Sequence, residues 1–132
     1  SNLNMNSEIA TQRILKAIQN PYTHILGHPT GRLLLTRTGY AIDHALLIKA
    51  CAENNVSIEV NANPLRLDLD YKWIELCLKH NVKVSINPDA HYIQGIADIK
   101  YGVSVARKGG LTTEATLNAL PVDKFINQIA KR

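Results

Sequence analysis

Three stretches of this sequence carry side chains able to do acid/base or metal chemistry. In the first, Val82-Lys83-Val84-Ser85-Ile86 alternates apolar and polar residues and predicts a half-buried strand, and Asn87-Pro88-Asp89-Ala90-His91 follows it. Pro88 has no N–H to donate and stops the ladder. If the chain stays extended beyond it, Asp89 and His91 lie two residues apart on one side and present a carboxylate and an imidazole to the same point. The plainer reading is a surface aspartate beside a loop histidine. His28 has the same layout, in Gly27-His28-Pro29-Thr30-Gly31-Arg32 after the short strand His24-Ile25-Leu26, and reads either as a ligand or as a turn histidine held by Gly27 and Pro29. Glu59, Asn61 and Asn63 alternate with Val56, Ile58 and Val60 before Pro64; Glu59 is a ligand or base, or simply the polar face of its strand. Imidazole and carboxylate together suit Zn²⁺, Mn²⁺ or Fe²⁺, and an open coordination position would allow metal-assisted hydrolysis.

The elements that must position these groups alternate in type. A helix capped by Asn6 or Ser7 carries Ala10, Ile14, Ala17 and Ile18 on one face and ends at Asn20-Pro21. Leu33-Leu34-Leu35 with Thr36-Arg37-Thr38-Gly39 reads as a loop over a buried apolar patch. Asp43 caps a second helix through Ala45, Leu46, Lys49, Ala50 and Ala52, and Asp68 or Asp70 starts a third that packs Trp73, Ile74, Cys77 and Leu78. A fourth spans Ile96 to Arg107 with Gly109-Gly110 as its stop. Thr112 or Thr113 caps a short helix to about Leu120, and Pro121 opens a last one with Val122, Phe125, Ile126 and Ile129 as its stripe. His24, His44 and His80 have no neighbours that argue for chemistry. Strands alternating with helices imply an α/β fold whose parallel strands are joined by right-handed crossovers. In such sheets and barrels the strand C-termini carry the working groups, so His28, Asp89 and His91 are expected to converge there.

At 132 residues, 45% apolar and 20% charged, the chain is one domain's worth of globular protein. No apolar run is long enough to span a membrane, and the N-terminus lacks a signal-peptide pattern, so the expectation is a cytoplasmic protein without a membrane partner. Cys51 and Cys77 fall inside apolar helical patterns and are expected as buried free thiols. The net charge of +4 permits a polyanionic partner, but the basic residues are scattered.

Several of these stretches together resemble a known family. Ile25 to Arg32, Glu59-Val60-Asn61-Ala62-Asn63-Pro64, Arg66-Leu67-Asp68, Ser85 to His91 and Tyr101-Gly102-Val103 resemble, in order and spacing, the C-terminal part of the PHP (polymerase and histidinol phosphatase) domain of bacterial family X DNA polymerases. The resemblance implies the C-terminal part of a distorted seven-stranded β/α, TIM-like barrel with a trinuclear metal centre, and a metal-dependent phosphoesterase or 3′-5′ exonuclease of a DNA repair polymerase. On the matching positions, His28, Asp89 and His91 would be metal ligands, with Asp89 and His91 catalytic. Glu59, Asn61 and Asn63 would line the site or support its ligands, and Arg32 and Arg66 would contact substrate phosphates or else pair with nearby carboxylates.

The family opens with an H-x-H metal pair, and this sequence has no H-x-H. The expectation is therefore a partial PHP domain over 1–132 without the N-terminal metal-binding half, holding at most one weakly bound Mn²⁺ or Zn²⁺ and inactive alone. DNA would be the partner through the parent polymerase, and uncovered sheet edges would drive the chain to a homo-oligomer. Two other readings stand beside this one: a non-catalytic structural or DNA-binding PHP module, and a histidinol-phosphate-type phosphatase. The Gly27 to Arg32 run favours the polymerase branch over the last.

Overall fold

The computed structural model describes residues 2–35 and 41–130. Its centre is an open parallel sheet of three strands in the order β1 (Ile25–Leu26), β2 (Ser57–Asn61), β3 (Val84–Asn87). Glu59 lies level with Ser85, and Asn61 with Asn87. The chain enters through α1 (Asn2–Gln19), crosses from β1 to β2 by α2 (His44–Asn54), and from β2 to β3 by a 3-10 turn (Tyr71–Trp73) and α3 (Ile74–Lys79). After β3 come a 3-10 stretch (Ile93–Asp98), α4 (Ile99–Lys108), a 3-10 turn (Leu117–Ala119) and α5 (Val122–Ala130). The alternating α/β order and the parallel pairing are those expected; the sheet is not closed into a barrel.

Every residue of β2 is buried. Ile58 and Val60 join Val84 and Ile86 in the core, while Ser57, Glu59 and Asn61 alternate with them on the opposite face beside Ser85 and Asn87. The middle strand thus carries a polar face that water does not reach, and each polar group there needs a protein partner. The outer edge of β3 is covered. Val84 N–H donates to the Ala115 carbonyl at 2.8 Å, and the Asn118 amide both accepts from Ile86 N–H and donates to the Ile86 carbonyl, each at 2.8 Å. A side chain here takes the place of a neighbouring strand, leaving β1 as the sheet's bare edge among the described residues.

Several local expectations need correction. α1 already runs from Asn2, upstream of the caps expected at Asn6 or Ser7. In α2 the buried residues are Leu47, Ile48, Ala50 and Cys51, while Ala45, Leu46 and Lys49 are exposed. That helix is apolar on most sides, so its periodicity does not choose a face. Its start is as expected, since the Asp43 side chain accepts from Leu46 N–H, and Asn55 closes it in the left-handed region. Leu34 and Leu35 are 48% and 84% exposed and cover no buried patch; 36–40 lie outside the described residues. Ile96 sits in the 3-10 stretch and is exposed, so the fourth helix begins only at Ile99. The short helix expected from Thr112 to Leu120 is turn followed by 3-10 backbone at Leu117–Ala119. Thr112 and Thr116 there hydrogen-bond the local backbone, which competes with a regular helix.

α4 reaches the sheet through a glycine. A Cβ on Gly102 would lie 2.5 Å from the Ala62 Cβ and 2.6 Å from the Ile86 Cγ2, so only hydrogen lets the helix approach the ends of β2 and β3. Cys51 and Cys77 are buried and not in a disulfide, and burial, with Cys51 adding to it, pushes the Cys77 thiol up to about 12. His44 is not idle either. Its ring stacks flat on Trp73 with centroids 4.4 Å apart, and burial lowers its pKa although Asp68 works the other way.

Candidate functional site

His28 follows β1, and the chain turns there because its φ is +24°. Glu59 holds that turn. Its Oε2 accepts from the His28 N–H at 2.7 Å, and its Oε1 accepts from Asn87 Nδ2 at 3.0 Å. Asn87 is in turn bonded by the Ser85 hydroxyl at 3.0 Å. One carboxylate from the middle strand therefore joins the end of β1 to the end of β3. A Cβ at Gly27 would touch Glu59 Oε2 at 3.4 Å, an ordinary van der Waals contact.

A second carboxylate secures the rest of the loop. Asp68 is fully buried, and its Oδ2 accepts from Thr30 N–H at 3.0 Å, the Thr30 hydroxyl at 2.8 Å and Gly31 N–H at 2.9 Å. The helix-start role expected of Asp68 or Asp70 falls to Asp70, whose side chain accepts from Lys72 N–H. Asp68 Oδ1 and Asn61 Nδ2, on residues paired across an antiparallel bridge, are buried without a protein partner. Asn61 Oδ1 and Asn63 Oδ1 accept from Asn63 N–H and Leu65 N–H, so both asparagines shape the turn that leads to Asp68.

Arg32 locks the same two segments together from the other side. Its Nη1 donates to Asp70 Oδ2 at 3.0 Å, its Nε to the Arg66 carbonyl at 2.8 Å, and its Nη2 to the Leu67 carbonyl. Burial pushes the Asp70 carboxyl up, yet the Lys72 amide and the Arg32 guanidinium outweigh it and the net shift is downward. With each of its three guanidinium nitrogens bonded within the protein, Arg32 keeps only two N–H groups for a phosphate. Arg66 is less committed, with Nε 3.5 Å from Asp89 Oδ2.

The loop after β3 does not stay extended. Asp89 has a φ of +56°, a left-handed conformation that aspartate tolerates, so the two-residue spacing does not put Asp89 and His91 on one side. His91 is exposed, and its Nδ1 lies 2.7 Å from the Asp89 carbonyl. A carbonyl only accepts, so Nδ1 carries a proton, and in the neutral ring the lone pair is on Nε2, the arrangement that a metal or an incoming proton uses. His28, Leu67 and Asp89, all in the loops at this end of the sheet, are among the five non-glycine residues with positive φ in the described part of the chain. Such conformations persist where surrounding structure enforces them, and functional loops are where they collect.

As a metal centre these residues fall short. Among the described residues no three His, Cys, Asp or Glu side chains are grouped to hold an ion. Asp89 faces Arg66, and the orphaned Asp68 Oδ1 has no such group around it. Beside His28 a cavity of about 370 Å³ opens between α1 and the loop, walled by Ala10, Ile14, Leu26 and Pro29 and reached by Arg13 and Arg66.

No protein-family model matches the chain. Over 119 residues, 90% of its length, it is 40% identical to the DNA polymerase/3′-5′ exonuclease PolX of Bacillus subtilis, of which it covers 21%. The chain is a homologue of part of bacterial PolX. This PolX homologue is also 32% identical over 87 residues to a probable phosphatase of Caldicellulosiruptor bescii, covering 34% of it. It is 25% identical over 113 residues to one of Clostridium botulinum, covering 44%. These relatives are consistent with the PHP portion of PolX. The chain spans about a fifth of the polymerase and less than half of each phosphatase.

The sequence pointed to the end of the sheet where His28 and Asn87 are linked through Glu59, but missed two residues that build it. Asp68 read as a helix cap; the signal available was the pair Asp68 and Asp70, two acids where one cap needs only one. Asn118, which seals β3, had none.

Proposed function

We propose that the chain is the C-terminal portion of a PHP domain and supplies one wall of a metal-dependent phosphoesterase centre, acting as a 3′-5′ exonuclease in a PolX-type parent. The observation that carries the reading is the Glu59 bridge, which ties the loops of His28 and Asp89 to one end of a parallel sheet, together with the likeness to PolX. His91, with Nε2 left as an acceptor in the neutral ring, and Asp89 are the groups for the reacting centre, and His28 belongs to the loop that Glu59 ties to the same end of the sheet. When bound, divalent metal would supply an activated water and neutralise phosphate charge. The remaining ligands come from chain outside this sequence, since the donors present do not form a site. Alone, the chain is inactive.

The test is hydrolysis of a thymidine monophosphate nitrophenyl ester with Mn²⁺, by this chain alone and mixed with the complementary remainder of a PolX-type PHP domain. Activity only in the mixture, abolished by Asp89→Asn and by His91→Ala, is expected. Activity that survives both substitutions overturns the assignment of these residues. One observation favours a non-catalytic module instead: no metal-binding group forms among the described residues. A mixture that assembles without gaining activity would support it.

A further inference from the structure

We propose that Arg13, with Arg66, forms an anion subsite in the cavity beside His28, and that its ligand is a nucleoside monophosphate. The ligand class rests on the phosphoesterase reading; the site rests on the cavity. Of its lining residues, none is an aspartate or a glutamate, while Arg13 and Arg66 both carry guanidinium groups that stay charged at any accessible pH. Arg13 has no hydrogen-bond or ion-pair partner among the described residues, and Arg66 has only the 3.5 Å contact of its Nε with Asp89. Among the described residues no hydrogen bond engages either Nη group of Arg66. Arg32, the neighbouring arginine that sequence alone would rank equally, has all three guanidinium nitrogens bonded, to Asp70 and two carbonyls.

Two guanidinium groups lining one space, one of them unpaired among the described residues and the other in a single 3.5 Å ion pair, favour an anion between them, and phosphate oxygens match their paired N–H geometry. The rest of the wall is apolar: Ala10, Ile14, Leu26 and Pro29. At about 370 Å³ the space falls in the range of small-molecule pockets and exceeds what a bare phosphate needs, so a phosphate carrying a sugar and a flat base fills it better. The ring of His28 borders the same space, which puts the anion next to the group assigned to the reacting centre. Arg13 would thus seat the terminal nucleotide and leave the chemistry to others.

The experiment titrates 2′-deoxyadenosine 5′-monophosphate, inorganic phosphate and deoxyadenosine into this chain in metal-free buffer, following the amides of Ala10, Gly27 and Gly31 by NMR. The nucleotide is expected to saturate and to bind at least about tenfold tighter than the nucleoside, with Arg13→Gln and Arg66→Gln each weakening it by about tenfold or more. Arg107→Gln, on the exposed side of α4, leaves binding unchanged. Added salt weakens it, as for any exposed charge contact. Asp89→Asn releases Arg66 and strengthens nucleotide binding, although it abolishes hydrolysis under the phosphoesterase reading. The two proposals therefore part company in one variant. No nucleotide binding, binding no tighter than that of the nucleoside, or an Arg13→Gln variant that binds as well as the unsubstituted chain overturns the subsite. Nucleotide binding lost in Arg13→Gln beside hydrolysis that ignores Asp89 overturns only the catalytic reading. Gln keeps the helix propensity of Arg, so α1 survives the substitution.

Discussion

Glu59→Gln tests the join between the two loops with the smallest change of shape. In the folded chain both carboxylate oxygens accept from donors, the His28 N–H at 2.7 Å and the Asn87 amide at 3.0 Å, on a residue only 9% exposed. Gln offers one oxygen and one NH₂ group. Whichever way it turns, one donor faces another donor. A hydrogen bond to a charged group contributes about 1.5–3 kcal/mol, and an unmatched buried donor costs about 1–3 kcal/mol. Removing a buried charge relieves some desolvation, which offsets part of this. Asn87 can also turn, but its Oδ1 already accepts from Ser85. The net expectation is a loss of about 2–3 kcal/mol, a large part of the 5–15 kcal/mol that stabilises a typical domain. Urea unfolding at pH 7 measures it, and the His28 amide resonance reports whether the loop has let go. Stability within about 0.5 kcal/mol of the parent chain, with that resonance unmoved, would refute the reasoning.

Three further outcomes are expected. Gly102→Ala gains about 1 kcal/mol of helix propensity but forces α4 off Ala62 and Ile86 at a cost of about 1–3 kcal/mol or more, so thermal melts should show net destabilisation. His44 has its pKa lowered by burial from 6.5, so on acidification the unfolded chain takes up the proton first. Its contribution is complete above about 6.5 and fades as pH falls toward the folded value, and urea midpoints between pH 7.5 and 5 should decline less steeply in His44→Phe. Finally, Tyr92, Ile93 and Ile96 are 70%, 84% and 60% exposed and β1 is a bare edge, so light scattering behind size exclusion should find a dimer or larger. A clean monomer at high concentration would sink that expectation.

The α/β order was legible because β-branched runs and helical stretches alternate at lengths that only crossovers join, and Asp43 and Asn55 mark the ends of α2 by local chemistry alone. What stayed hidden was whatever depends on distant partners. Asp68 serves Thr30, 38 residues earlier, and nothing in its neighbourhood says so. Arg32 read equally as a phosphate contact or as the partner of a nearby carboxylate, and only the turn at 66–70 supplies the two carbonyls and Asp70 that its guanidinium bonds. The left-handed Asp89 broke the two-residue alternation on which its pairing with His91 was read, because an aspartate after a proline carries no local sign of its φ.

The shortness of β1 has a dynamic consequence. Two residues of pairing give the His28 loop almost no share in the cooperative ladder of β2 and β3. The loop is held by Glu59 and Asp68, side chains rooted in other parts of the chain. Its opening is then a local event, in which the amides of His28, Thr30 and Gly31 lose protection from solvent exchange together while the sheet stays folded. A ligand that favours the closed loop would be felt first there, as slower exchange, before any change in global stability.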